Sequence, residues 1–214
     1  MRYFLLISAL SCGLGGIVAQ PSWAFNQEDL MKLLTTNKCY KCDLRDVNLQ
    51  GKLLSSKNSE PIDIVKADLT NAKLHGLRLP KSDAWETILI NSDLSGTDLS
   101  KGIFTEANFS DANLSNANLK HLSARGADFS GANLSGANLT KAKLNNSSFQ
   151  GANLSGANLT KARLEGANLQ NVNLDGAILD RTELWNANLN GVNKEKVDMS
   201  KVIYDRVLRF DSEK

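Results

Sequence analysis

The chain has only three prolines, three cysteines and two histidines in 214 residues, and its aromatic share is 6%. So little histidine and cysteine leaves a zinc site short. Cys39 and Cys42 would need two more ligands, and His75 and His121 stand far from them in sequence. A formal net charge of +2 excludes a strongly acidic molecule. The one long apolar run, Tyr3 to Ala19, is short for a membrane span and small residues follow it. No nucleophile–base pair, phosphate loop or carboxylate dyad stands out, and His75 and His121 lack a carboxylate–serine or carboxylate–cysteine partner in the pattern. The expectation is no catalytic residue, no cofactor and no metal.

What the chain does have is a period. ADFSGANLSGANLTKAKLNN at 127–146 is followed by a near copy, SSFQGANLSGANLTKARLEG at 147–166. Inside each block a unit repeats every five residues: Leu or Phe at its centre, a small residue two places earlier, and Asn, Asp, Ser or Gly between. Five fits neither the 3.6 of a helix nor the 2 of a long strand. With two positions of each five pointing inward, each unit is one short side of a coil, and the twenty-residue super-repeat closes the coil at four sides. The prediction is an all-β solenoid whose coils stack at about 4.8 Å. Twenty-residue spacing also stacks Phe109, Phe129 and Phe149 inside, and Asn113, Asn133, Asn153, Asn173 and Asn193 outside. The few prolines and aromatics suit a coil built from small residues.

The motif A(N/D)LXX, seen as ANLSG at 132–136, ANLTK at 137–141 and ANLQN at 167–171, resembles the pentapeptide-repeat family. The resemblance covers about three-quarters of the chain. It implies a right-handed quadrilateral β-helix; the handedness comes from the resemblance, the four sides from the period.

The expected organisation is a signal peptide at 1–24, a short N-terminal capping α-helix at 25–38, first repeats at 39–54, a loop at 55–61, the β-helix at 62–205 and a C-terminal cap or tail at 206–214. Arg2, the apolar run and Ser22-Trp23-Ala24 have the form of an export signal; Cys12 offers a lipoprotein alternative, which the continuing apolar run disfavours. Asn26 is placed to cap the helix, with Phe25 stapled to Leu30 and the stripe Leu30, Leu33, Leu34 covering the first coil's open edge. The polar, proline-containing loop, Ser55 to Pro61, replaces one repeat in this reading, since Ile64 re-enters ten residues after Leu54. The coil then runs on to about Tyr204. Val202 to Phe210 is apolar enough to cover the C-terminal edge or to form a dimer contact; a monomer is expected.

Register counting places Cys39 and Cys42 inward. Asp43 stands where a c-type haem site needs histidine, and no βαβ pattern supports a thioredoxin-like dithiol. A structural disulfide pinning the helix to the first coil and a pair of buried free thiols both remain, with redox chemistry a third reading.

Folding the sequence at twenty puts Lys81, Lys101, His121, Lys141, Lys161, Arg181 and Lys201 at one place on successive coils, with Lys143 and Arg163 beside them. The equivalent place on another edge reads Gly76, Gly96, Asn116, Gly136, Gly156, Gly176. The stripe is either a solvated edge or an electrostatic docking surface for an acidic protein or membrane surface. Trp85 and Trp185 share an edge, too far apart to touch. The Asn-Leu-Ser and Asn-Leu-Thr triplets are by-products of the repeat.

These features predict an exported, non-catalytic, rigid interaction or structural scaffold with a protein partner and no nucleic acid. The signal and the helix followed by Cys-x-x-Cys-Asp-Leu resemble exported cyanobacterial members of the family, which implies periplasm or thylakoid lumen. Some cytosolic members mimic DNA to occupy a topoisomerase. That needs an acidic rod, which the charge and the export signal argue against.

Overall fold

The computed structural model describes residues 25–50 and 61–204. The export signal, Cys12, nearly all of the expected loop and the chain after Tyr204 lie outside the described residues.

One repeat shows how the coil closes. Asn133 N–H donates to Ala112 O of the coil before, at 2.9 Å, and Leu134 N–H donates to Asn153 O of the coil after, at 2.7 Å. Leu134 O then accepts from Ala137 N–H at 3.0 Å, closing a four-residue turn whose third residue, Gly136, has φ +66°. Asn133 Oδ1 accepts from Ser135 N–H at 3.1 Å. The Asn or Asp before each central residue is therefore a turn-former: its side chain binds the backbone two residues on.

Parallel bridges step by twenty residues from Asp63 onward, four to a coil. The first side carries Asp63, Asp83, Ile103, Ser123, Lys143, Arg163, Glu183 and Ile203. The second runs from Asp68 to Asn188, the third from Lys73 to Asn173, and the fourth from Arg78 to Ile178.

Central and small positions fill the bore, and nearly all are fully buried. Phe109, Phe129 and Phe149 stack with centroids 4.7 and 4.8 Å apart and planes within 6°, which measures the rise per coil. Each such pair contributes about 0.5–1.5 kcal/mol beyond area burial. Phe104 is the exception on the first side. Coils above and below it present Ala84 and Ala124, and its own small position is Gly102, where a β-carbon would stand 2.7 Å from Phe104 Cε2. The alanines that break the leucine run thus make room for a ring. Towards the N-terminal end, Leu33, Ile62, Leu69, Leu89 and Phe104 help to line a cavity of about 20 Å³. Its lining is apolar, so it stays dry.

Outside, amides form ladders. Asn113, Asn133 and Asn153 each donate from Nδ2 to Oδ1 of the residue twenty before, at 3.2–3.3 Å, ending on Asp93. Asn118 donates in the same way to Asp98 at 2.9 Å.

Helix α1 spans Gln27–Thr36, capped by Asn26, whose Oδ1 accepts from Glu28 N–H at 2.9 Å and Asp29 N–H at 3.4 Å. Leu33 is buried in the core; Phe25 and Leu30 pack against it, half-buried. Leu34, assigned to that stripe from the sequence, instead faces out and is 41% exposed. Two hydrogen bonds tie the helix to the first coil: Asn26 N–H to Asp43 O and Asp43 N–H to Asp29 Oδ2, both 2.9 Å.

Two departures concern the ends. Lys38, Asp43 and Asn48 bridge to Asp63, Asp68 and Lys73, so the first coil is 25 residues long, not twenty. The segment holding the expected loop adds five residues to that coil rather than replacing a repeat. At the other end the ladder is interrupted: a 3-10 turn spans Lys194–Lys196, and no bridge forms at Asn193 or Asp198. Lys194 falls on a central position, and an inward lysine would be buried without a partner. Asn193 therefore leaves the amide ladder and caps the turn, accepting from Glu195 N–H at 3.1 Å.

Candidate functional site

From Lys66 to Gly191 each corner of the coil ends in a residue with positive φ. On most corners glycine and asparagine take this place at many coils, but the corner between the fourth and first sides is cationic: Lys81, Lys101, His121, Lys141, Lys161 and Arg181 have φ of 54–61°. A residue with a β-carbon pays about 1–2 kcal/mol for that conformation. The corner one side earlier has Gly76, Gly96, Gly136, Gly156 and Gly176 there, with φ of 62–68°. The six residues of the Lys81–Arg181 row and Lys201 are exposed. At about 4.8 Å per coil, neighbours lie well inside the Debye length of roughly 8 Å, so they repel. Local backbone preference and mutual repulsion both oppose this row, and the fold does not require it.

The asymmetry extends beyond the row. Between 101 and 190, all eight Lys and Arg residues lie on the first side or its two corners. Lys101, Lys120, Lys141, Lys161 and Arg181 are on one corner, Lys143 and Arg163 on the side itself, and Arg125 on the other corner. The first side and its corners also carry Glu106, Glu165, Asp180 and Glu183, which leaves them with an excess of positive charge, whereas the rest of the surface over that span has no cation and has Asp111, Asp128 and Asp175. Among the described residues no carboxylate lies within ion-pair distance of Lys81, Lys101, Lys141, Lys143, Lys161 or Arg181.

Arg163 departs from the expected stripe. It is half-buried, and its guanidinium reaches Glu183 Oε2 at 3.0 Å and Glu165 Oε1 at 3.2 Å. The Glu165 hydrogen bond, opposed by burial and aided by Glu183, holds its pKa above the ordinary value. Two carboxylates thus neutralise Arg163, while Lys143 on the neighbouring coil and Asp83 nearer the N-terminal end are exposed on the same side. His121 sits within the row. Burial first, then Lys141, Lys120 and Lys101, push its pKa below the usual histidine range.

On the corner between the first and second sides, Trp85 and Trp185 are 40% and 38% exposed. Lys66 Nζ lies 4.6 Å from the Trp85 ring centroid and 3.0 Å from Glu86. Ile103, on the first side between the two corners, is 48% exposed.

His75 is not without a neighbour, contrary to the sequence expectation. Its Nδ1 lies 2.7 Å from Ser95 Oγ, and that hydroxyl donates to Asp93 Oδ1 at 2.6 Å. Because the serine proton goes to the carboxylate, His75 must donate to the serine oxygen. The order is wrong for a nucleophile–base pair. Burial raises the Asp93 pKa, but the Ser95 hydroxyl and amide, His75 and Asn113 outweigh it and hold the carboxyl below its ordinary range. The signal was available in the sequence, since His75 and Ser95 are twenty residues apart.

Cys39 and Cys42 are buried and their sulfurs are joined, with the Cα atoms 5.3 Å apart. Both belong to the first coil, on either side of the corner Tyr40–Lys41, and the helix ends before them at Thr36. The bridge therefore braces a corner and does not pin the helix, as the sequence had suggested. The Asp29 carboxylate approaches both sulfurs, all within 4.8 Å. That carboxylate already accepts from Asp43 N–H, and joined sulfurs are not thiolate ligands.

The family model described as pentapeptide repeats matches in eight copies, over 67–105, 95–131, 107–146, 132–171, 157–193 and 167–203. No curated protein matches the chain. Among solved structures, HetL, a pentapeptide repeat protein involved in heterocyst differentiation regulation in Nostoc, is 25% identical, with 84% of this chain and 97% of HetL covered at a TM-score of 0.32. AT2G44920 from the Arabidopsis thaliana thylakoid lumen is 32% identical over 56% of this chain and 72% of its own, at 0.23. QnrB1, a plasmid-mediated fluoroquinolone resistance protein, is 20% identical over 78% and 92%, at 0.38. No helix among the described residues is long and apolar enough to cross a membrane.

Proposed function

The chain belongs to the pentapeptide repeat family, and on that premise we propose that it is an exported, non-catalytic rod, a right-handed quadrilateral β-helix that acts as a rigid interaction scaffold. Its working surface is the basic Lys101–Arg181 corner with the first side beside it. One observation supports this: every lysine and arginine between 101 and 190 is on that side or its corners, and four of the eight are in a backbone conformation that costs stability. Export to a periplasm or thylakoid lumen accounts for the leader-like first 24 residues and for a Cys39–Cys42 pair kept as a disulfide. The protein works as a single rod. A DNA-mimicking role would need continuous acid where this surface is basic.

The test is crosslinking of the tagged protein in its own compartment, wild type against Lys141→Glu with Lys161→Glu. One specific partner, lost on charge reversal, is the expected result. An unchanged set of crosslinked partners would mean that no protein docks on the row.

A further inference from the structure

Resting on that reading of the working surface, we propose that the first side is a membrane-docking face that lays the rod along a bilayer of anionic lipid. Bridges in register from Asp63 to Ile203 run this side and its basic corner continuously along the rod, so the charges are presented as a line.

The side chains fit a bilayer. The exposed charges are chiefly lysines, compact hydrated point charges on flexible stems, suited to a diffuse field of headgroups. Arginine forks would suit carboxylates at fixed positions. The one central arginine, Arg163, is already taken up by Glu165 and Glu183. Half-exposed Trp85 and Trp185 stand on the other corner of the same side, five coils or about 24 Å apart at 4.8 Å per coil. Ile103 is exposed between the two corners. Indole rings flanking a basic field suit the zone between headgroups and acyl chains, where one edge is apolar and the other wet. Lysines near an anionic leaflet act additively within a Debye length, so a row of them gives reversible, salt-sensitive adhesion without a crossing helix.

The experiment is co-sedimentation of the protein purified from cells with vesicles of mixed phosphatidylcholine and phosphatidylglycerol, or of phosphatidylcholine alone, at low and high salt. Two variants of equal charge change are compared: Lys141→Glu with Lys143→Glu on the docking side, and Lys73→Glu with Arg78→Glu on the third and fourth sides. All four residues are exposed, and any contribution from the N-terminal segment is common to both variants. Expected are binding to the anionic vesicles only, loss at high salt, at least a tenfold weakening in the first variant and little change in the second. Tryptophan emission should shift to the blue on binding, and less so in Trp85→Phe. Equal weakening by both variants overturns the proposal, as does absence of binding. If vesicles do not bind while charge reversal still removes a crosslinked protein partner in cells, the working surface stands and the bilayer assignment falls. If both effects are absent, both fall.

Discussion

The ring of Phe104 occupies the space that a β-carbon on Gly102 would need, 2.7 Å from Cε2 to that point. Gly102 has no positive φ, so its role is room. Gly102→Ala should cost about 1–3 kcal/mol by overpacking. Phe104→Leu alone should also destabilise, through the cavity left between Ala84 and Ala124. Together they should cost less than their sum. Denaturant melts of the four proteins close the cycle, and strict additivity would mean that the ring does not press on that site.

Lys141→Gly with Lys161→Gly should leave stability unchanged or raise it by up to about 1 kcal/mol per site. Relief of positive φ outweighs the entropy that glycine adds to the unfolded chain. Thermal melts measure the first effect; vesicle or partner binding should weaken at the same time. A clear loss of stability would show that the cations serve the fold.

Burial and the surrounding lysines depress His121 in the folded state. The unfolded chain then binds the proton more readily, so stability is full above the unfolded pKa of about 6.5 and declines as pH falls through it towards the folded value. NMR titration of the ring should give a midpoint below that of a free histidine, and Lys141→Glu should move it upward. A midpoint insensitive to Lys141 would mean that the row does not act on it as a shared field.

Cys39→Ala with Cys42→Ala opens a loop of only four residues, so chain entropy accounts for about 2 kcal/mol. Melting should fall modestly while the far-ultraviolet signal of α1 persists, because its hydrogen bonds to Asp43 and the packing of Leu33 remain. Both sulfurs are buried, so exchange with glutathione should be no faster than opening of the cap. Rapid exchange in an intact fold would favour a redox site.

The regular middle of the rod was legible because its rule is local. A leucine every five residues and a copy at twenty are enough to derive coil, bore, phenylalanine stack and corner row. What escaped depends on neighbours one coil away or on single exceptions. Arg163 reads as one more cation until Glu165 and Glu183 are seen against it. His75 reads as isolated until Ser95 is placed above it. Cys39-x-x-Cys42 suggests a link to the helix, yet the chain has already finished the helix and entered the coil. At Lys194 one charge on an inward position overrides the period. The 25-residue first coil was hidden because an addition of five keeps every leucine in phase while shifting which coil-mate it meets.

In the third-side ladder, each amide from Asn153 down to Asn113 passes its hydrogen bond towards the N-terminus, and the last acceptor, Asp93, has no proton to pass on. The stack therefore has a preferred direction of growth. A duplicated coil inserted after Asp93 finds a matching donor above and acceptor below, whereas one inserted before it meets a carboxylate facing the wrong neighbour. The near identity of 127–146 and 147–166 is what such a duplication leaves behind. Adding or removing one whole coil changes the length by about 4.8 Å, carries one position of the basic row with it and leaves both ends untouched.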